Sequence, residues 1–473
     1  MVIIGGGPGG YEAALVGRQL DGNVTLIDSD GIGGSAVLTD CVPSKTLIAT
    51  AEIMTTIEHA DALGLVLKQN SAGAPVSVDL GKVNRRVLDL AKAQSGDIKR
   101  QLEDAKVDII QGFARLEGPN TVVVTTPDGI ERRVPADIVL VATGSTAREL
   151  PSARIDGERI LNWTQIYDLT ELPERMIVVG SGVTGAEFAS AYRALGSEVV
   201  LVSSRRVVLP GEDADAAVVL QDSFERRGME IMSESRASSV ERHGDEVVVT
   251  LNDGRTVTGS HCLMAVGSIP NTTGMGLADA GVRVRGSGHI SVDKVSRSSV
   301  RNIYAAGDCT GVLPLASVAA MQGRIAMWHS LGDAVAPLDV TSVASNVFTA
   351  PEIATVGVTQ TQVDSGEVRA LSHTLPLKGN ARAKMQDVRE GFVKLFCLPT
   401  TGIIVGGVVV APQASELIHP VSIAVAERIT VDNFAHDFTV YPSMSGSFAE
   451  AARQLHGHSD DLLDANTTFE PII

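Results

Sequence analysis

The chain has 473 residues, 44% of them hydrophobic and 20% charged, and 39 basic against 56 acidic side chains leave a formal charge of −17. That length predicts roughly two or three domains, and the apolar content excludes a largely disordered chain. The acidic balance, without a basic stripe, argues against nucleic acid as a partner, and the absence of a long apolar run argues against stable membrane insertion.

Met1-Val2-Ile3-Ile4 already reads as a strand, so no leader segment is expected. Residues 2–7 run from that strand into a glycine turn, 11–20 read as a helix and 24–28 as the next strand. From 83 to 105 the apolar positions Val83, Val87, Leu90, Ala91, Ile98 and Leu102 have helical spacing. A buried strand follows at 137–144. The pattern then restarts, with strand and glycine turn at 176–180 and a further strand at 199–202. Residues 246–251 and 255–258 form a hairpin through Asn252-Asp253-Gly254. Beyond 341 the texture changes to strand-like runs at 368–376, 391–398 and 402–410, then a helix near 415–428. This order predicts an α/β protein with two Rossmann-like dinucleotide-binding domains and a C-terminal α+β domain.

The first glycine turn places Gly5, Gly7 and Gly10 in GxGxxG spacing, with Pro8 between them. The first glycine permits the tight turn, the second lets backbone approach a pyrophosphate, and the third packs helix on strand. The helix N-terminus adds free N–H groups and a positive dipole. Asp28 ends the second strand, where an acid binds ribose hydroxyls. The second turn has Gly180, Gly182 and Gly185, with Glu187 just inside the helix. At its strand end stands Ser203, followed by Ser204, Arg205 and Arg206. Losing the acid removes its repulsion of a 2′-phosphate, and an arginine can pair with that phosphate, which points to NADPH, or to NADPH and NADH alike.

Residues 33–45, Gly-Gly-Ser-Ala-Val-Leu-Thr-Asp-Cys-Val-Pro-Ser-Lys, resemble the redox loop of the flavoprotein disulfide reductases, in which two cysteines stand where this chain has Ala36 and Cys41. Ile303 to Asp308 resembles that family's second flavin motif. Val141-Ala142-Thr143-Gly144 and Ala265 to Asn271, including Gly267, resemble the crossovers between its FAD and NAD(P) domains. Asn380 to Ala383 and Gly391 to Lys394 resemble its dimerisation domain. The resemblance implies an FAD-binding homodimer: FAD domain at 1–150 and 271–340, NAD(P) domain at 151–270, interface domain at 341–473. It implies hydride transfer from NAD(P)H to flavin N5, Gly307 and Asp308 on the flavin side, and Lys45 near N5 paired with Glu187.

Three departures change the expected chemistry. A disulfide needs two sulfurs, and Ala36 supplies none. The family's C-terminal histidine and its orienting glutamate become Tyr441 and Gly446. A tyrosine is a poor base at neutral pH. Reduction of lipoamide, glutathione or mercuric ion is therefore not expected. The pattern is similar to the family's NAD(P)H:quinone reductases that lack the redox disulfide, with Tyr441 expected to hydrogen-bond a quinone oxygen from the partner subunit. Cys41 leaves two readings: a single-thiol enzyme, or a remnant packing as a small apolar residue, which the missing base favours. A pyridine-nucleotide transhydrogenase and an idle flavin-binding interaction protein are the alternatives. The four scattered cysteines, Cys41, Cys262, Cys309 and Cys397, lack metal or secreted-framework spacing and suit a reducing cytoplasm.

Overall fold

The computed structural model describes residues 1–66 and 76–464, with side chains through residue 456. By its contacts the chain forms two units: Met1–Leu47, Asp79–Glu171 and Val266–Asp339 make the first, and Ile48–Val78, Leu172–Ala265 and Val340–Ile473 the second.

In the first unit five short strands lie parallel in the order Ile303–Ala305, Val139–Val141, Val2–Ile4, Thr25–Asp28, Asp108–Gln111. Apart from the edge strand Asp108–Gln111 they are near-continuous apolar runs because both faces are covered: Ile3, Leu26 and Leu140 lie in one core cluster, and Val2, Ile27 and Val139 in the other. Each such side chain contributes roughly 1.5–3 kcal/mol on burial. The helix expected at 83–105 runs from Leu80 to Asp104, because Asp79 caps it by accepting from the Lys82 N–H at 3.0 Å. Its buried stripe includes Val87, Ala91, Ile98 and Leu102, whereas Leu90 faces out and Asn84 faces in. Asn84 tolerates burial by donating Nδ2 to the Leu169 carbonyl at 2.7 Å. An antiparallel sheet of Phe113–Leu116, Thr121–Thr125 and Glu131–Pro135 was not expected from the sequence. Its middle strand reads Val122-Val123-Val124, too short a run for period to decide.

The second unit carries parallel strands in the order Glu230–Met232, Glu198–Val202, Arg175–Val179, His261–Met264. The expected hairpin forms between Glu246–Leu251 and Thr256–Gly259, and Ala237–His243 adds a third strand. Further along, five antiparallel strands lie in the order Ala344–Val347, Glu352–Gly357, Ile404–Ala411, Phe392–Cys397, Leu371–Pro376. The helix expected near 415–428 is two helices, Ala414–Leu417 and His419–Ala426. Pro420 lacks the N–H that a continuous helix needs, and it sits in the first turn of the second one, where none is required. Lys394, 2% exposed, bonds both oxygens of Asp213 at 3.0 and 2.8 Å and Asp215 at 2.7 Å. Removing that cation would strand a buried carboxylate at a cost of about 3–5 kcal/mol. Among the described residues no helix is long and apolar enough to cross a membrane.

Candidate functional site

In the first unit the glycine turn sits at the C-terminal edge of the parallel sheet, where the strand order reverses, the usual place for a ligand in such a sheet. Gly5 has φ +107°, and a Cβ there would lie 2.2 Å from the Ala142 carbonyl oxygen. A Cβ on Gly10 would lie 1.8 Å from the Gly5 oxygen. Neither position admits a side chain. Gly7 begins the helix Pro8–Gln19 with no side-chain cap, and Pro8 has no N–H to leave unsatisfied. A Cβ on Gly7 would meet only the Gly34 Cα, at 3.9 Å. Uncapped helix amides beside open backbone fit a pyrophosphate, so these residues suit the FAD that the resemblance implies.

Asp28 closes the strand Thr25–Asp28 beside the glycine turn. Its Oδ2 accepts from the Gly6 N–H at 2.6 Å, and its Oδ1 accepts from Asp30 and Gly31 at 2.8 and 2.5 Å. Burial raises its carboxyl above the ordinary value, opposed by those three donors. Asp308 accepts from the Ser145 hydroxyl at 2.8 Å, and the Gly307 N–H donates to buried Gln322 at 2.8 Å. Thr143 Oγ1 donates to the Asn271 carbonyl at 2.7 Å, and Asn271 Nδ2 returns a bond to the Thr143 carbonyl at 2.9 Å. These bonds flank the antiparallel ribbon of Ser145–Ala147 and Ser268–Pro270. Gly144 and Gly267 have φ +66° and +94°, with open space where a Cβ would point.

Ala36 lies in the short helix Gly34–Leu38, and Cys41 opens the helix Cys41–Glu58 that carries Lys45. Gly34 and its loop rest on the glycine turn, where the Gly33 N–H donates to the Gly6 carbonyl at 2.8 Å. Cys41 is in no disulfide and is partly exposed. Cys262, Cys309 and Cys397 are buried thiols, and burial pushes Cys309 and Cys397 up to about 11, so they are inert at neutral pH. Among the described residues no cluster of His, Cys, Asp and Glu is placed to hold a metal.

In the second unit Gly180 has φ +115°, and a Cβ on Gly185 would lie 1.8 Å from the Gly180 oxygen. Gly182 begins the helix Val183–Leu195 uncapped, and a Cβ on it would meet nothing within 4 Å. The same fit to a pyrophosphate holds here. Glu187 is 3% exposed and accepts from the Phe348 N–H at 2.9 Å. Ser203 is buried, while Ser204, Arg205 and Arg206 are exposed. Tyr441 is 86% exposed, beside the exposed Phe438 and Val440. Gly446, in the glutamate's place, opens the helix Gly446–Asp464 and donates its N–H to Ser443 Oγ at 3.1 Å.

The first unit thus holds Gly5, Gly7, Pro8, Gly10, Asp28, Cys41, Lys45, Thr143, Gly144, Gly267, Gly307 and Asp308. The second holds the residues from Gly180 to Arg206 named above, and Tyr441. Sequence reasoning missed Ser145 and Gln322; a glutamine inside the apolar helix Ala316–Ser330 was the available signal.

The family model described as "Pyridine nucleotide-disulphide oxidoreductase" matches residues 1–323, and that of its dimerisation domain matches 343–452. The NAD(P)H dehydrogenase (quinone) of Mycobacterium tuberculosis is 53% identical over 97% of this chain and 94% of that protein. The crystal structure of LpdA from the same organism superposes with a TM-score of 0.91 at 53% identity, covering 96% of this chain and 99% of the other. A dihydrolipoyl dehydrogenase of Bacillus subtilis is 33% identical over 95% of this chain and 97% of its own length. This chain belongs to the pyridine nucleotide-disulphide oxidoreductase family.

Proposed function

We propose that the chain is a cytoplasmic, homodimeric NAD(P)H:quinone oxidoreductase that works without a redox-active disulfide. As a member of its family it is a flavoprotein oxidoreductase using FAD and NAD(P)H. One observation carries the acceptor: Ala36 leaves Cys41 without its partner sulfur on a scaffold whose two glycine turns are intact. The name of the 53%-identical relative, NAD(P)H dehydrogenase (quinone), supports that reading. In it, residues 1–150 and 271–340 hold the flavin, 151–270 the nicotinamide nucleotide, and 341–473 the dimer contact. Bound FAD supplies a two-electron relay between reduced nicotinamide and the acceptor.

Gly7 and the helix behind it hold the pyrophosphate, Asp28 the ribose, and Asp308 the ribityl chain. Lys45 keeps a cation near the isoalloxazine, and the buried Glu187 lies on the nucleotide side. Tyr441 donates a hydrogen bond to a quinone oxygen, in an apolar setting given by Phe438 and Val440. Cys41 has no catalytic step in this scheme.

Steady-state oxidation of NADPH and NADH is measured with menadione, benzoquinone and lipoamide in parallel. Fast turnover with quinones and none with lipoamide is expected; turnover with lipoamide alone would overturn the proposal. Tyr441→Phe lowers quinone turnover on the order of tenfold, the loss of one hydrogen bond to a developing charge. Unchanged turnover removes Tyr441 from the scheme.

A further inference from the structure

At the second glycine turn the strand Glu198–Val202 is followed by a residue that cannot itself bind nucleotide. Ser203 is 0% exposed. Its hydroxyl is 2.7 Å from Ser181 Oγ, accepts from the Arg205 N–H at 3.1 Å and donates to the Arg205 carbonyl at 3.0 Å. A hydroxyl has one donor and two acceptor positions. With Ser181 donating, all three are used, so no capacity remains for a ribose hydroxyl.

Ser181 holds the following loop at a second point. Its carbonyl accepts from the Leu209 N–H at 2.9 Å. Leu209 is buried and takes φ +53°, a conformation a leucine adopts only when its surroundings impose it. A third bond runs from the Glu234 N–H to the Arg205 carbonyl at 3.0 Å. Between these anchors Ser204, Arg205 and Arg206 are exposed, and among the described residues neither guanidinium has a hydrogen-bond or ion-pair partner. The backbone is fixed and the cations are free.

We infer that Ser181 and Ser203 are positioning residues for nucleotide selection: their paired hydroxyls, with the Ser181 carbonyl, fix the 203–209 loop to the glycine turn so that Arg205 and Arg206 meet a 2′-phosphate. The inference rests on the proposed NAD(P)H site and on the arginines being its phosphate contacts. Guanidinium recognition of phosphate depends on planar, two-point geometry, so a loose loop loses selectivity before it loses binding.

The test titrates the FAD-loaded enzyme with 2′,5′-ADP and with 5′-AMP by calorimetry, alongside KM for NADPH and NADH. Ser181→Ala weakens 2′,5′-ADP about fivefold, as the loss of one hydrogen bond predicts, Ser203→Ala weakens it more because the Arg205 backbone loses its two bonds as well, and both leave 5′-AMP within about twofold. KM follows the same split, the double variant is no worse than Ser203→Ala alone, and Ser181→Thr retains wild-type selectivity. If Ser203→Ala fails to fold, Ser181→Ala and Ser181→Thr carry the test. Equal weakening of both ligands, or no change in either, overturns the inference while Arg205→Ala/Arg206→Ala still loses 2′,5′-ADP selectively. If that arginine variant keeps full 2′,5′-ADP affinity, the phosphate reading itself is wrong and the inference falls with it.

Discussion

The two glycine turns share one backbone and differ at the end of the next strand. Gly5 and Gly180 have φ +107° and +115°, and Gly10 and Gly185 both leave 1.8 Å to the first glycine's oxygen. Both helices open on an uncapped extended glycine, at φ −70° and −75°. At the strand ends stand Asp28, a carboxylate taking three backbone N–H groups, and Ser203, a buried hydroxyl spent on Ser181 and Arg205. The equivalence extends to the donors: Gly6 and Ser181 follow the first glycine of each turn, and Asp30 and Arg205 each offer an N–H from two residues beyond Asp28 and Ser203. The steric frame is thus shared by the two turns, and what differs is the side chain after the next strand, on which the proposed nucleotide selection rests.

Placing a methyl in the frame has the largest expected effect. In Gly10→Ala and Gly185→Ala the new Cβ meets a backbone oxygen that cannot rotate away, a cost of about 3 kcal/mol. Gly10→Ala purifies without the flavin's visible absorbance. Gly185→Ala stays yellow and loses 2′,5′-ADP binding in calorimetry. Loss of flavin from Gly185→Ala, with Gly10→Ala remaining yellow, would invert the assignment of the two turns.

Next in size is exchanging the residue that differs. In Ser203→Asp the carboxylate meets the donors Asp28 meets, here Ser181 and the Arg205 N–H, and repels a 2′-phosphate. The ratio of kcat/KM for NADPH to that for NADH falls on the order of tenfold or more, because a like charge now faces the phosphate. A ratio unmoved in a folded, yellow variant would mean that the strand end does not set selectivity here.

The frame was legible in the sequence because glycine spacing reports backbone geometry directly: strand, turn, helix and Asp28 fall in order along a short stretch. The hydroxyl pair was not, since Ser181 and Ser203 are 22 positions apart and only packing brings them to 2.7 Å. The same holds for Ser145 against Asp308 and Gln322 against Gly307, contacts between distant segments with no local signature. Short elements were read worst. The strands from Phe113 to Pro135 are too brief for period to separate them from loop, and the helix near 415–428 was drawn through Pro420 although proline at that place starts a helix. The lost disulfide was plain, because it is a matter of residue identity at positions 36 and 41.

The smallest expected effect separates the turns by pH. Burial raises the Asp28 carboxyl above its ordinary value of 3.8, so it takes up its proton at a higher pH than an exposed aspartate. An ionised carboxylate accepts hydrogen bonds from ribose hydroxyls more strongly than a neutral acid. Flavin affinity through Asp28 is therefore full above the raised value and declines as pH falls through it. In Asp28→Asn the amide offers one acceptor oxygen and turns its NH2 toward backbone donors. Flavin binding is weaker throughout, by about 1–3 kcal/mol, and this acid-dependent step disappears. Flavin release followed by fluorescence from neutral pH to 4 distinguishes the two curves. Identical acid release in Asp28→Asn and the parent would place the titrating group elsewhere. The second turn, with Ser203 in place of a carboxylate, supplies no corresponding group, so NADH binding carries no such step from that position.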